Sequence, residues 1–160
     1  MEYIFTPWRY RYVSTVDERE GCIFCDRPAA GDDRENLIVT RGERCFAMLN
    51  LYPYSTGHLM IAPYEHTGTV ETLDRDTLAD MMQMAQRCMA AIREAFSPEG
   101  FNLGLNIARV AGAGIVEHVH MHVVPRWKGD SNFMPVCAET RVLPLALEQV
   151  REALWERLDR

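Results

Sequence analysis

Three of the five histidines in this 160-residue chain fall at alternate positions of one short apolar run, "EHVHMHVVPRW", as His118, His120 and His122. In an extended strand these three point to one face while Val119, Met121 and Val123 point to the other. A rise of about 3.3 Å per residue spaces the imidazoles about 6.6 Å apart. A half-buried strand can present Thr, Lys or Glu on its polar face equally well. Imidazole is the side chain that changes among base, acid, nucleophile and metal ligand near neutral pH, so a row of three points to chemistry. A second group is the pair Cys22 and Cys25 in "GCIFC". Its two-residue spacing lets both thiolates close on one metal ion from a turn, and the same spacing serves a redox pair. A third is the loop "RVAGAG" before the histidines. There Gly112 and Gly114 permit positive φ and close backbone approach, so that successive N–H groups can face an anion. A plain glycine-rich hairpin turn is the alternative reading of that loop. Arg109 within it can serve as a cation near a polyphosphate or stand as a solvated arginine.

These groups need a scaffold, and the chain is long enough to build one. With 48% hydrophobic and 25% charged residues it has the balance of a compact globular protein with a real core. A net charge of −6 and a pI near 5.4 argue against a nucleic-acid polymer or an anionic membrane surface as partner. No apolar stretch approaches the ~18 residues of a membrane span, and "MEYIFTPWRYRYV" is too broken by charge and Pro7 for a signal peptide, so a cytoplasmic chain is expected. The odd cysteine count suits reduced thiols, with Cys45, Cys88 and Cys137 as small buried apolar residues.

"LIVTRG", "RCFAMLN" and "GHLMIAP" are short apolar runs bounded by Gly, Asn or Pro and predict a meander of β-strands. "GCIFCDRP" precedes them, followed by "AAGDDREN", whose Gly and acidic residues mark a solvated turn. Leu78, Met81, Met82, Ala85, Met89, Ile92 and Phe96 recur at three- and four-residue steps and predict an amphipathic helix over residues 74–96. "FNLGLNIA" and "IVEHVHMHVVP" predict two further strands, and Leu147, Val150, Leu154 and Leu158 a terminal helix from about residue 143 to 158. The expected class is α+β, an antiparallel sheet with one long central helix and a C-terminal helix. Residues 1–20, with Trp8, Tyr10 and Tyr12, are expected to form an extended arm of the same domain that residues 21–160 make up.

The pattern of His, apolar, His, apolar, His, two apolars and Pro resembles the signature of the histidine triad superfamily of nucleotide hydrolases and transferases. "FAMLNLYPYSTGHLMIAPYEH" looks like that family's first nucleotide-binding stretch and "GCIFC" like its zinc-binding opening, so the resemblance runs from about residue 21 to residue 134. "PRWKGDSNF" and "FTPWRYRY" are similar to a bacterial branch that includes diadenosine polyphosphate phosphorylases.

The resemblance implies that His120 attacks the α-phosphorus of a purine nucleotide or dinucleoside polyphosphate and forms a covalent nucleotidyl-histidine. Neutral imidazole can do this when its other nitrogen is held by an acceptor that fixes the tautomer. Water then gives hydrolysis and orthophosphate gives phosphorolysis, with His122 donating to a phosphoryl oxygen. By the same resemblance Asn50 binds ribose hydroxyls, His58 sits near the nucleophile, and the loop from Asn106 through Gly112 and Gly114 contacts phosphate. Phe24, Phe46 and Leu49 are candidates to line a base slot. Gly114 stands where many members carry Gln, Ser or Thr, which leaves leaving-group assistance to backbone N–H groups or a partner loop. Resemblance to the family's zinc-containing members further implies one zinc per chain, with His66 and His118 joining Cys22 and Cys25; two thiolates and two imidazoles fill a tetrahedral shell, so that zinc would be structural. A homodimer is implied as well, and Met81, Met82, Met84 and Met89 are candidates for its interface. Two other activities fit the same residues: adenosine phosphoramidate hydrolysis, and nucleotide sensing with incidental turnover.

Overall fold

A computed structural model describes residues 21–130 and 145–158 of the chain. Among the described residues five strands form one antiparallel sheet: β1 (Ile38–Arg41), β2 (Cys45–Leu49), β3 (Leu59–Pro63), β4 (Gly100–Leu105) and β5 (Met121–Arg126). Their spatial order is β1-β2-β3-β5-β4, so β5, which holds His122 and follows His118 and His120, lies inside the sheet, and β4 forms an edge among the described residues. The helices are α1 (Ile23–Ala29), α2 (Arg75–Phe96) and α3 (Leu147–Leu158). This is the expected α+β class. None of the described helices is long and apolar enough to cross a membrane.

Period-two alternation divides the buried residues between the two sheet faces. Cys45, Ala47, Leu49, Leu59, Ile61, Met121 and Val123 face α2 in one core, which α3 completes with Val150, Leu154 and Leu158. Phe46, Met48, Met60 and Ala62 face the other way and are covered by α1 through Phe24. Met60 pairs with His122 across β3 and β5, which puts His122 on this second face. Leu49 therefore lies on the α2 side of the sheet and cannot line a base slot beside the histidines, whereas Phe24 and Phe46 share the histidine face.

The long helix starts where expected because Asp74 caps it, its carboxylate accepting from Thr77 N–H at 2.6 Å. Its buried face is rotated from the expected one. Thr77, Met81, Met84, Ala85, Cys88, Ala91 and Ile92 turn inward, while Leu78 (41% exposed) and Met82 (50%) lie outward. Met84 and Cys88 extend the row started by Met81 at helical steps, and the sheet takes that row. Burial of Met81 and Met84 in the core also removes them from any dimer interface; Met82 alone of the four expected methionines is exposed.

"GCIFC" is the first turn of α1, with Cys22 as N-cap and the N–H groups of Cys25 and Asp26 donating to Cys22 O. Two further expectations are corrected. The histidine strand joins the ladder only at Met121. Pro63 ends its partner β3, and Val119 N–H donates instead to Thr67 O at 2.6 Å. In the glycine loop, Gly112 takes the left-handed conformation (φ 90°) after a 3-10 turn over Arg109–Ala111, but Gly114 does not. The other left-handed residue is Ala108, at φ 66° and ψ 161°. A side chain there strains the backbone, by roughly 1–3 kcal/mol, and glycine's extra unfolded-state entropy offsets only part of that. Ala108→Gly should therefore stabilise the protein by about 1 kcal/mol, read as a higher urea midpoint at unchanged slope. Trp8, Tyr10, Tyr12 and Cys137 lie outside the described residues.

Candidate functional site

The triad histidines keep the predicted alternation. His118 and His120 are buried ahead of β5, His122 is partly buried within it, and Val119 between them enters the α2-side core. The rings of His120 and His122 lie closer than strand spacing alone would set, 4.9 Å between centroids in an edge-on arrangement.

Main-chain atoms fix the proton on His120 and on His58, and through His58 on His122. His120 Nδ1 lies 2.9 Å from His118 O. A carbonyl only accepts, so His120 carries its proton on Nδ1 and presents a bare Nε2. Burial lowers the pKa of His120, which keeps it neutral at pH 7. At His58 the logic runs the other way. Tyr54 N–H donates to His58 Nδ1 at 3.0 Å, so the His58 proton sits on Nε2. That proton is donated to His122 Nδ1, also at 3.0 Å, leaving His122 with its own proton on Nε2. The site thus holds a neutral nucleophile-grade nitrogen next to a ring that donates: a lone pair to attack an electrophile and a hydrogen bond for the charge that develops. Tyr54 is a contributor that the sequence did not flag. Its ring also lies tilted against His58 and stacks on His122, at 4.7 Å and 6.2 Å between centroids.

His122 has its pKa pushed from 6.5 down to about 4, by burial first and then by the neighbouring His120. The unfolded chain therefore takes up the proton before the folded one does. The stability this ring contributes is complete above about pH 6.5 and is lost as pH falls toward 4. That interval corresponds to roughly 3 kcal/mol. Denaturant titrations at pH 7 and pH 4 should show the His122→Asn variant losing about that much less stability than the wild type.

Asn50, 7% exposed, ends β2 opposite His58, whose carbonyl accepts Asn50 N–H at 3.0 Å. Its Oδ1 accepts from Tyr52 N–H at 2.9 Å, which orients the amide and turns Nδ2 to the other side. Asn106, Gly112 and Gly114 lie in the loop that leads into the triad, outside the hydrogen-bonded histidine cluster among the described contacts. Ile115 anchors that loop against the cluster around Phe24.

The second cluster is complete. Cys22, Cys25, His66 and His118 bring four candidate ligand atoms within 4.8 Å of one another. Cys22 Sγ and His66 Nδ1 each lie 3.3 Å from His118 Nδ1, and Cys25 Sγ 3.6 Å from it. His118 Nε2 donates to Pro63 O at 2.9 Å, which leaves its Nδ1 lone pair aimed at the two sulfurs. Burial first, and then Cys22, push the Cys25 thiol up to about 11, so closing this set on a metal must release thiol protons. Four soft and borderline donors within one shell can hold a metal ion. Cys45 and Cys88 are buried in the core as expected, both thiols pushed up to about 12 by burial.

A family model described as HIT domain matches residues 33–129. An AP-4-A phosphorylase of Mycobacterium tuberculosis is 36% identical over 167 residues, covering 98% of this chain and 86% of that protein. A bis(5'-adenosyl)-triphosphatase of Dictyostelium discoideum is 33% identical over 97 residues, 61% of this chain and 64% of that protein. Among solved structures, a zinc-bound histidine triad family protein from Mycobacterium smegmatis superposes with a TM-score of 0.70 at 27% identity, covering 87% of this chain and 94% of that one.

Proposed function

The chain belongs to the HIT domain family, and from that premise we propose that it is an enzyme that cleaves diadenosine polyphosphates through a covalent adenylyl-histidine on His120. The observation that carries the proposal is the pair of opposite tautomers, a bare Nε2 on His120 beside a protonated Nε2 on His122. His120 Nε2 attacks the α-phosphorus, the bond from that phosphorus to the bridging oxygen breaks, and the remaining adenosine polyphosphate leaves with that oxygen. His122 donates to a phosphoryl oxygen as charge builds there. In the second half-reaction water or orthophosphate attacks the same phosphorus and restores His120. Asn50, through Nδ2, binds the ribose hydroxyls, and the loop from Asn106 through Gly112 and Gly114 contacts the phosphates. The likeness to the AP-4-A phosphorylase favours orthophosphate as acceptor.

Cys22, Cys25, His66 and His118 hold one zinc per chain in this reading, and the donor set fits it: two thiols and two imidazoles in one shell leave no open position, so the role is structural. We also read the chain as cytoplasmic and as a homodimer; the dimer is supported by exposed Leu78 and Met82 on α2 and by the edge position of β4 among the described residues.

Product analysis tests the activity. Diadenosine tetraphosphate with orthophosphate should give ADP and ATP, and without orthophosphate AMP and ATP. Turnover of an adenosine phosphoramidate alone would move the assignment to phosphoramidate hydrolysis. Tight nucleotide binding with no products from either substrate would move it to a sensing module.

A further inference from the structure

The metal cluster and the histidine array share more than His118. Phe24 sits inside the Cys22-to-Cys25 turn and is buried to 1% exposure. Its ring lies 4.6 Å from that of His120, tilted 31°, and 5.3 Å from that of His118. His120 is thus held from two directions. Its Nδ1–H is fixed by the carbonyl of His118, and its ring face by Phe24. Both restraints are attached to candidate metal ligands. His118 offers its side chain to the cluster and its carbonyl to His120, while Cys22 and Cys25 flank Phe24 in sequence.

The other end of α1 has its own anchor, since Arg41 Nη2 donates to Pro28 O at 2.9 Å and pairs with Asp33 at 2.7 Å. The N-terminal turn, which carries Phe24, meets the triad where the four ligand atoms converge. On the reading that His120 is the nucleophile, we propose that Phe24 is a positioning residue for it, and that the metal cluster acts in catalysis by clamping Phe24 against the His120 ring. The cluster touches no substrate in this scheme. It sets the wall that stops the imidazole from swinging about its Nδ1 hydrogen bond, and a displacement of about 1 Å in an attacking atom can cost about 10²-fold in rate.

The experiment uses the zinc-loaded protein with Phe24→Leu and Phe24→Ala replacements. Leu preserves apolar bulk if Ala compromises folding. Rapid-quench measurement of adenylyl-enzyme formation from diadenosine tetraphosphate gives the chemical step, and binding of a non-hydrolysable analogue gives affinity. Ring-proton NMR of His120 reports whether an aromatic face still lies over it. The expected result is a loss of about 10²-fold in adduct formation for the Ala variant and a smaller loss for Leu. Zinc content should be unchanged, any loss of analogue affinity should be far smaller than the loss in adduct formation, and the His120 ring signals should move downfield. Stripping zinc from the wild type should move the same ring signals in the same direction. An unchanged adduct rate in both variants, a loss confined to affinity, or His120 signals indifferent to zinc would overturn the proposal. An adduct that survives in His120→Asn would instead overturn the nucleophile reading beneath it.

Discussion

Replacing His120 with Asn should lower turnover of diadenosine tetraphosphate by at least about 10³-fold while the chain still folds. Asn is the informative replacement because its amide can still donate to the carbonyl of His118, which now receives the His120 Nδ1 proton at 2.9 Å. The nucleophilic lone pair is lost and the buried hydrogen bond is kept. The loss of ring contact with Phe24 should cost about 1–2 kcal/mol, a small fall in melting temperature. Intact-protein mass spectrometry after mixing with substrate, denatured without acid, should show the wild type carrying one added adenylyl group and the variant none. Turnover within tenfold of the wild type would sink the covalent mechanism through this residue.

Removing the metal should produce the largest change in stability. The four candidate ligands come from α1, from the segment after β3 and from the run before β5, so a bound ion joins three parts of the chain. At a free zinc concentration of about a thousand times the dissociation constant, binding only the folded state adds about 4 kcal/mol. For a chain of this size that corresponds to roughly 8–16 °C in melting temperature. Excess chelator should lower the transition by that amount and zinc should restore it. Cys22→Ser should melt near the chelated wild type and change little on adding chelator. A wild-type melting curve indifferent to chelator, with no metal by elemental analysis, would remove the metal from the account.

The parts of this arrangement that were legible in the sequence are those where residue type carries the message. Histidines at alternate positions announce a single face, and Cys22 and Cys25 at two-residue spacing announce a shared ligand site; the structure brings His66 and His118 to them. The strands were legible because each is a short apolar run closed by Gly, Asn or Pro. The orientation of α2 was harder. Its apolar residues span a wide arc, and hydrophobicity alone does not say which part of that arc the sheet covers, so the pattern points Leu78 and Met82 inward where the fold buries Met84 and Cys88. Gly114 shows the limit of reading conformation from glycine, since the loop places its positive φ at Ala108 and Gly112 instead. Least visible were the atoms that set the tautomers, because Pro63 O, His118 O and Tyr54 N belong to the backbone and every residue but proline carries both kinds.

That last feature bears on how such a site can drift. Pro63 and Tyr54 act on the histidines through main-chain atoms, so exchanging their side chains leaves the proton addresses of His118, His58 and His122 where they are. Alanine scanning would pass over Pro63 without registering its carbonyl, and at Tyr54 it would register only the ring. An amide-to-ester replacement at residue 54 would expose the hidden contribution, because it deletes the N–H that His58 accepts and changes no side chain. The acid–base pattern is in this sense inherited with the path of the chain, and the surrounding sequence is free to wander so long as that path is kept.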